Sequence, residues 1–522
     1  MAAADDLCRS FLDLWYHFDP AAATRAGAPG QDSRLGAFDA DSVRLHVAAL
    51  RSIAGAVEDL DIEDTDDEID RTGLLDHLRV LLFRFEHEHP WRRNPALWVR
   101  HACDALDGLV SREVADPAVA AATLARIRAL PRYFADARET LRRPPLLLVE
   151  VALAELDGLS TLIVAAAARF ATVWQALNDN GAGALAEADT AIDRMREALR
   201  SDLVPDLSAG GAAIGEPEVD RRLHHEHASV HNAAEVYRGA LRLATEVESE
   251  VVAVAAAIDP ARPWREVYER TGGRWGQDGP TGGTLHSMGA ALGAARRFAE
   301  LHGLVSGAGT PLVPVDATRY ERVLEAGPFY RPAGALTPAM VVVAGGDLPA
   351  VPWFAARLGV PGIHLHRNRC DALPRLVRRH IAAASTPLGW SLYAGELMRS
   401  LGYSPEPESR LAERVLFLRD AHLAVVDLAL HTRQLAPAEA IDYLTARLPV
   451  DRRVAEADVR RIACYPIEAC AAILGWKELT RLRDDIRAAK GNRFTLADFH
   501  EECFRYGGLP VPLIRWGLGL DG

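Results

Sequence analysis

The sequence lacks the closely spaced cysteines that a zinc ribbon or a disulfide framework requires. Its six cysteines are scattered along 522 residues with no CxxC motif. They are Cys8, Cys103, Cys370, Cys464, Cys470 and Cys503. In a chain of this length they are typical of reduced thiols. The first residues include Asp5 and Asp6 and show no basic segment followed by an apolar one, so no secretory signal is predicted. We therefore expect a cytoplasmic protein.

Long uninterrupted apolar runs are also missing. The longest apolar stretch, residues 146–174, contains four charged residues, which are Glu150, Glu155, Asp157 and Arg169. A membrane-spanning helix needs about 20 consecutive apolar residues. The stretch is therefore predicted to be a buried or amphipathic helix, and no membrane partner is expected.

Positive charge is scarce overall. The formal net charge is -13, with 59 basic against 72 acidic residues, which argues against a protein that binds duplex DNA over a wide surface. The sequence has no P-loop, no dinucleotide-binding glycine pattern and no G-x-S-x-G elbow. Any site for an anion must therefore be local.

What the sequence does have is helical periodicity. From Asp41 to Leu203, apolar residues recur at intervals of three and four, which predicts one helix after another. An aromatic helix, residues 11–18, precedes them and ends at Asp19-Pro20. A break rich in glycine and proline runs from Pro205 to Pro217. We predict an N-terminal helical lobe, residues 1–205, and a second lobe, residues 206–522, with one continuous domain as the alternative.

Strand-like sequence is confined to one region. Residues 311–315 and 340–343 are short apolar runs bounded by proline or glycine, which predicts a small sheet within about 311–345. Helices are predicted again over about 374–402, 408–434, 437–446 and 454–488. The fold class is therefore mainly α with one small β-sheet.

Two segments of the second lobe carry a family resemblance. They are residues 357–366, Arg-Leu-Gly-Val-Pro-Gly-Ile-His-Leu-His, and residues 389–393, Gly-Trp-Ser-Leu-Tyr. They resemble a bacterial zinc-peptidase-like family that is named as a domain of unknown function and has the signature HExxPGHH. The resemblance implies a two-lobed, zincin-like metallopeptidase architecture of the gluzincin type, with the small sheet beside the former metal helix.

The metal residues of that signature are replaced in this chain. The His-Glu of the signature falls on Arg357 and Leu358, and the first histidine after Pro-Gly falls on Ile363. The glutamate that usually precedes Gly-Trp falls on Leu388. None of these side chains can ligate zinc or act as the general base. We therefore expect no zinc at this position, no other cofactor, and no conventional zinc-peptidase activity.

Other residues of the family pattern remain. They are Pro361, Gly362, His364, Gly389, Trp390, Tyr393, Asp427, His431, Arg461 and Pro466. Asp427 and His431 lie one helical turn apart, so the carboxylate can orient the imidazole; the alternative is a buried pair inherited with the fold. We predict His364, Asp427 and His431 as catalytic residues.

The replacements also add positive charge around the former metal site. Guanidinium binds carboxylate or phosphate through two hydrogen bonds, so we predict that Arg357 binds an anionic group in the cleft. The other predicted substrate-binding residues are His366, Trp390, Tyr393 and Arg461. For Arg375, Arg378 and Arg379 we predict positions on the solvent face of a helix.

A relocated metal site is an alternative. His224, His225, His227 and His231 are predicted to lie on one long helix, where His224, His227 and His231 can share a face. The ordinary interpretation of such a pattern is a solvated histidine face.

Two functions follow from these residues. The first is zinc-independent acyl transfer, in a specialised biosynthetic pathway, from an amide, ester or aminoacyl donor with an anionic part; the end of an aminoacyl-tRNA is one such donor. The second is a non-catalytic pseudo-peptidase that binds a ligand or a partner protein in the old cleft. Both imply a small-molecule or peptide-like anionic substrate or ligand.

Overall fold

Helices dominate the chain because its apolar residues follow a helical period almost throughout. The computed structural model describes residues 3–114, 116–176, 181–208, 211–273, 281–305, 309–334, 336–346 and 348–520. Helices make up 71% of it and strands 4%, which confirms the mainly α class with one small sheet.

The first half of the chain is a series of helices that often begin with proline after an Asp or Asn cap. Asp19, Asn94 and Asp116 each accept a hydrogen bond from a backbone N–H of the helix that follows, which satisfies a donor that the helix leaves free. These helices are α1 Ala3–Phe18, α2 Pro20–Ala26, α3 Ala40–Glu58, α4 Thr65–Phe83, α5 Pro90–Arg93, α6 Pro95–Val110, α7 Pro117–Thr140, α8 Leu146–Ala176 and α9 Ala182–Glu197. Two π-helical segments, Arg84–Glu88 and Ala198–Asp202, extend α4 and α9.

The second half contains the sheet and the remaining helices. The elements before and within the sheet are α10 Glu216–His225, α11 Ala233–Ile258, α12 Trp264–Arg270, α13 Gly282–Leu301, β1 Leu312–Asp316, β2 Phe329–Arg331 and β3 Ala339–Val343. The helices that follow are α14 Val351–Leu358, α15 Ile363–Asp371, α16 Leu376–His380, α17 Ser385–Ser400, α18 Pro407–His431, α19 Pro437–Arg447, α20 Arg452–Cys464, α21 Glu468–Lys490, α22 Leu496–Phe504 and α23 Val511–Gly517. Single 3₁₀ turns are found at Glu321–Val323 and Gly491–Arg493.

The sheet lies in the predicted region and has the strand order β1-β3-β2. β1 pairs with β3 in parallel, with Leu312 opposite Ala339, and β2 pairs with β3 antiparallel, with Phe329 opposite Val342. All five residues of the central strand β3 are buried, which explains its uninterrupted apolar sequence.

The core consists of two large apolar clusters. One combines α6 to α9 with residues of α2 and α3 and with Tyr320 and Leu324. The other combines α1, α4 and parts of α3 with the helices of the second half. N-terminal helices therefore contribute to both clusters, and the division into lobes 1–205 and 206–522 stays a prediction.

Two helices of the second half cross at unusually short range. A Cβ atom on Gly475 of α21 would lie 1.8 Å from the carbonyl oxygen of Ser385, and one on Gly389 of α17 would lie 2.4 Å from the backbone of Gly475. Glycine at both positions is what allows the two backbones to touch.

Three predicted helices are interrupted. Residues 454–488 form α20 and α21 with a break at residues 465–467, because Pro466 has no N–H to donate and restricts the residue before it. Residues 374–402 form α16 and α17 with a break at 381–384. The predicted histidine helix ends at His225, and α11 begins only at Ala233, where Asn232 and Glu235 form a capping box.

None of the described helices is long and apolar enough to cross a membrane.

Candidate functional site

A large cavity lies where the two halves of the chain meet, and has a volume of about 1060 Å³. Its wall includes the π-helix Arg84–Glu88, the residues from His89 to Asn94, the start of α10 at 215–218, and residues 463–466 at the break between α20 and α21. A cavity of this size accommodates a ligand as large as a drug molecule or a short peptide.

The backbone of this wall is irregular. His89 has a φ of 49°, Arg143 a φ of 42° and Arg433 a φ of 63°, and all three residues line the cavity. Left-handed backbone at residues other than glycine costs on the order of 1–3 kcal/mol and is concentrated at functional sites. The neighbouring Ile467 also has a left-handed backbone, with a φ of 73°. Because it is β-branched, isoleucine is poorly suited to this conformation.

The cavity is rich in positive charge although the protein is acidic. Ten of its lining residues are arginines and five are Asp or Glu. The arginines are Arg25, Arg84, Arg92, Arg93, Arg100, Arg142, Arg143, Arg221, Arg222 and Arg433. The acidic residues are Asp19, Glu88, Asp104, Glu216 and Glu218. Such a concentration raises the local affinity for anions above that of the rest of the surface.

Half of these arginines are already neutralised by the protein. Arg100 pairs with Glu155, Arg25 with Asp104, and Arg93 with Asp206; Arg221 and Arg222 pair with Glu218. The other five form no ion pair within the described part of the chain. They are Arg84, Arg92, Arg142, Arg143 and Arg433. Burial lowers the pKa of Arg84, and its Nε has no hydrogen-bond partner among the described residues.

Aromatic rings form the apolar part of the wall. They belong to Trp15, Phe38, Phe83, Phe85, Trp91 and Tyr465. Arg92 stacks on Trp91 with its guanidinium carbon 4.6 Å from the ring centre. The Nε1 of Trp91 is buried without an acceptor in the described residues. The cavity can therefore contact one ligand both through apolar rings and through cationic groups.

Two carboxyl groups meet in this wall. Arg222 donates hydrogen bonds of 2.6 and 2.8 Å to Glu88 and one of 3.2 Å to Glu218. Burial, and then the hydrogen bond and negative charge of Glu88, raise the pKa of Glu218 to about 8. Burial also disfavours the charged form of Glu88, but Arg222 outweighs that effect and the pKa of Glu88 is lowered.

The predicted histidines of α15 do not line this cavity. His364 is 2% exposed; its Nε2 donates to the carbonyl oxygen of Thr310 at 2.9 Å, and its Nδ1 accepts from the Tyr330 hydroxyl at 3.2 Å. His366 donates from Nε2 to the carbonyl oxygen of Gly507, and burial lowers its pKa to about 4.

The predicted aromatic residues of α17 lie in the same interior. Trp390 is 1% exposed and donates from Nε1 to the carbonyl oxygen of Pro361, and Tyr393 is hydrogen-bonded to His500. The structure therefore brings His366, Trp390 and Tyr393 together with His500 and Phe504 as a packed aromatic group.

Asp427 and His431 are both fully buried, with their nearest polar atoms 3.7 Å apart. Asp427 accepts hydrogen bonds from the backbone N–H groups of Ile467 and Cys470 at 2.9 and 3.0 Å, so it fixes the start of α21. His431 donates from Nε2 to the carbonyl oxygen of Ile462 at 3.0 Å. Their catalytic role stays a prediction, but the contacts they make are those of a structural pair.

The two predicted anion-binding arginines have partners within the chain. Arg357 pairs with Asp420 at 2.8 Å and lies beside Trp353. Arg461 pairs with Glu325 and Glu468 and stacks on Tyr465, whose ring reaches the cavity wall. Neither guanidinium is left without a counter-charge.

The prediction of a solvent face for the arginines of α16 is wrong for Arg378. This side chain is 4% exposed and pairs with Asp70 and Asp66 of α4, and Arg375 pairs with Asp67 and Asp70. Periodicity missed this contact because it joins elements about three hundred positions apart in sequence.

The histidines proposed for a relocated metal site do not share a helix face, since the helix ends at His225. His227 is buried and lies 3.1 Å from the Ser385 hydroxyl, whereas His231 is exposed beside Glu235. Among the described residues, no group of three or more His, Cys, Asp or Glu side chains is arranged to hold a metal ion. At the signature itself, Arg357, Leu358 and Ile363 do not fit a zinc ion, because none offers a ligand atom.

Sequence reasoning missed the residues of the cavity wall. The segment 84–93, Arg-Phe-Glu-His-Glu-His-Pro-Trp-Arg-Arg, is dense in ionisable side chains between two helices, and that density was a usable signal. Its pairing with Arg222 across 134 positions was not visible in the sequence.

The family model described as a bacterial protein of unknown function, DUF885, matches residues 20–517. This chain belongs to the DUF885 family. No curated protein matches the sequence. The zinc-peptidase-like architecture expected from the sequence stays a prediction.

Two solved structures share the fold over the whole chain. A "putative lipoprotein of unknown function" from Shewanella oneidensis has a TM-score of 0.75 and 17% identity, and the match covers 99% of this chain and 100% of that one. A "putative lipoprotein" from Colwellia psychrerythraea has a TM-score of 0.81 and 13% identity, with 100% of both chains covered. The fold of this chain is thus shared by proteins of low sequence identity.

These relatives correct one prediction. The cytoplasmic location inferred from the cysteines and the first residues is wrong on this comparison, because both structural relatives are described as putative lipoproteins. Neither the scattered thiols nor the early acidic residues were sufficient grounds for that inference.

Proposed function

We propose that this DUF885 protein binds a small anionic molecule in the arginine-lined cavity. The observation that carries the proposal is the set of five lining arginines that form no close ion pair in the described residues. Arg92, Arg142, Arg143 and Arg433 are exposed, whereas Arg84 is half-buried. A half-buried guanidinium loses part of its hydration, so Arg84 gains most from a further counter-charge. A carboxylate or phosphate accepts two hydrogen bonds from one guanidinium, so it supplies the missing partner.

The shape of the cavity supports a ligand that also has an apolar part. Six aromatic side chains share the wall with the arginines, and Arg92 is stacked on Trp91. Rings of this kind contribute binding energy through buried apolar area. A peptide-like molecule or an aromatic acid of small size meets both requirements.

Of the two functions left open by the sequence, binding in a cleft is the better supported. His364, Asp427 and His431 are buried, and each forms a hydrogen bond with the backbone, which disfavours their use in acyl transfer. The proposed cleft also differs from the one predicted, since it lies at Arg84 and Arg92 rather than at Arg357. Aminoacyl-tRNA as a donor stays a prediction.

Calorimetric titration with phenyl phosphate and phenylacetate tests the proposal. We expect saturable binding of at least one of the two anions, weakened about tenfold in Arg84→Gln and in Arg92→Gln, since a charge-assisted hydrogen bond contributes roughly 1.5–3 kcal/mol. Arg270→Gln is the matched control, because Arg270 is exposed and lies outside the cavity. Absence of binding, or equal affinity in all four proteins, would overturn the proposal.

A further inference from the structure

A second cavity lies between α11, α18 and α21, and its volume is about 380 Å³. This size is within the range of sites for small molecules. Its wall is formed by residues within 231–242 and 470–477 and by Ala424 of α18. None of the described residues that form this wall also lines the arginine-lined cavity. The second cavity is therefore a separate candidate site.

The buried side chains of this wall, which together form its floor, are aliphatic except for one thiol. They belong to Ala240, Ala424, Cys470, Ile473 and Leu474, and each residue is no more than 7% exposed. The described wall contains no Phe, Tyr or Trp, whereas six such rings line the first cavity. Apolar surface is favourably covered by another apolar group, so the floor fits an alkyl chain.

The rim of the second cavity is cationic. Arg238, Arg242 and Lys477 are exposed there, and none of the three forms an ion pair within the described part of the chain. Glu235 is the acidic residue of the described wall, and it lies 3.6 Å from His231. The rim therefore carries more positive than negative charge, which favours an anion.

Two of these cations converge on one point above α11. A Cβ atom on Gly239 would lie 3.6 Å from Nζ of Lys477 and 3.9 Å from Nη2 of Arg242. Positive charges that approach the same point repel each other unless an anion lies between them. The carboxylate of Glu246 acts on Lys477 only from beyond ion-pair distance. The place between the two cations thus suits the head group of a ligand.

Gly239 leaves this place open. Glycine is unfavourable inside a helix, and a Cβ atom here would make only ordinary contacts, so alanine would also fit the fold. The Gly239 carbonyl oxygen accepts a hydrogen bond of 3.3 Å from Nζ of Lys477. An ammonium group has three donors. Lys477 can therefore be held by the helix and still donate two hydrogen bonds to an anion.

Lysine itself is rare in this chain. Lys477 and Lys490 are the only lysines of the sequence, and all other residues among its 59 Lys and Arg are arginines. Lys490 pairs with Glu502 at 2.7 Å, whereas Lys477 has no carboxylate partner in the described residues. The compact ammonium reaches the Gly239 carbonyl group as a point charge, which a planar guanidinium does not replace.

We propose that the second cavity binds an amphiphile with an anionic head and a short aliphatic chain. The head lies between Lys477 and Arg242, and the chain covers Ile473 and Leu474 of the floor. A phosphate monoester or a carboxylate provides such a head, because both accept charge-assisted hydrogen bonds from ammonium and guanidinium groups. This inference does not rest on the function proposed for the first cavity.

The two lysines allow a direct test in the full-length protein. Trace acetylation with acetic anhydride, read by peptide mass spectrometry, compares Lys477 with Lys490, which is the internal control outside the cavity. With octyl phosphate at about ten times its dissociation constant, acetylation of Lys477 should slow about tenfold, since about a tenth of the sites remain free. Octanoate should also protect Lys477, and Lys490 should react at an unchanged rate.

Two partial ligands test both halves of the site. Inorganic phosphate lacks the chain and octanol lacks the charge, so each should protect Lys477 far less than octyl phosphate does. Equal protection by inorganic phosphate, or by octanol, would overturn the proposed ligand class. No protection by either amphiphile, or the same protection at Lys490, would overturn the site. None of these results depends on a folded variant.

Arg242→Met removes one of the two head contacts and keeps an apolar side chain at the rim. It should weaken the protection of Lys477 by octyl phosphate about tenfold. Arg481→Met is the matched control, because Arg481 is 79% exposed on the same helix as Lys477 and lies outside the cavity. Unchanged protection in Arg242→Met would contradict the proposal.

Arg84→Gln, in the wall of the first cavity, distinguishes the two sites. Protection of Lys477 should persist in this variant even where binding of phenyl phosphate is weakened. If protection were instead lost in Arg84→Gln and kept in Arg242→Met, the amphiphile would occupy the first cavity and the second site would be refuted. Protection of Lys477 in a protein that does not bind phenyl phosphate would support the second site and contradict only the first.

Discussion

Arg357 forms a 2.8 Å ion pair with Asp420, and both side chains are largely buried. The residue that stands where the family signature has its first histidine is therefore bound to a carboxylate of α18. The guanidinium contributes to packing at this position, since it also lies beside the Trp353 ring.

We predict that Arg357→Ala lowers the free energy of unfolding by about 3 kcal/mol, because it leaves the Asp420 carboxylate buried without its partner. Chemical denaturation measures this change. Arg452→Ala removes exposed pairs with Asp442 and Glu456 and should change the free energy of unfolding far less. Equal effects of the two substitutions would contradict the buried role of Arg357.

Asp427 supports the start of α21 through two backbone N–H groups. Asp427→Ala should destabilise the protein by about 2 kcal/mol or more, since both donors would remain buried without an acceptor. The affinity for phenyl phosphate should not change. A normally stable Asp427→Ala protein with impaired activity would instead support the catalytic role predicted from the sequence.

His46 is 3% exposed, stacks on Phe18 at 3.9 Å, and has no hydrogen-bond partner at either ring nitrogen in the described residues. Burial lowers its pKa to about 4. Between pH 6.5 and pH 4, the imidazole therefore binds a proton in the unfolded chain but not in the folded protein. The free energy of unfolding falls as the pH is lowered through this range.

His46→Leu should raise the free energy of unfolding at pH 7 by about 1 kcal/mol, and by about 2 kcal/mol more at pH 5. Thermal and denaturant unfolding at the two pH values measure this difference. His302→Leu, at an exposed position, is the control for the substitution itself. A gain that is the same at both pH values would rule out a neutral buried imidazole.

The crossing of α17 and α21 leaves no room for a side chain at Gly475. Gly475→Ala should therefore destabilise the protein by several kcal/mol, on the order of 3 or more, through forced separation of the two helices. Gly55→Ala, in α3 where a Cβ meets no atom, should stabilise it by about 1 kcal/mol through helix propensity. Circular dichroism during urea unfolding compares the two variants.

Local patterns were sufficient for the fold class. Apolar spacing located the ends of α18 and α19 to within three residues and placed the sheet near Val341, because these features depend on neighbouring residues. The breaks were harder to locate. At Pro466 the periodicity continues on both sides, and only the steric effect of proline interrupts the helix.

The site was beyond the reach of such patterns. The family resemblance pointed to the segment at Arg357, where the sequence shows that each expected zinc ligand is replaced. The contacts of Arg222 with Glu88 and Glu218 bring together segments that are distant in the sequence, and only the folded chain shows them. Whether an arginine has a carboxylate beside it is a tertiary property.

The wall of the cavity joins residues from both ends of the chain, as the contact between Arg100 and Tyr465 across 365 positions illustrates. Closing so long a loop is slow, and contacts of this range form late in folding. During synthesis, all of the lining arginines except Arg433 emerge from the ribosome long before the segment at 463–466 that completes their enclosure. Until then they are exposed to solvent, and a fragment that ends ahead of α20 would have no closed compartment in which to hold an anion.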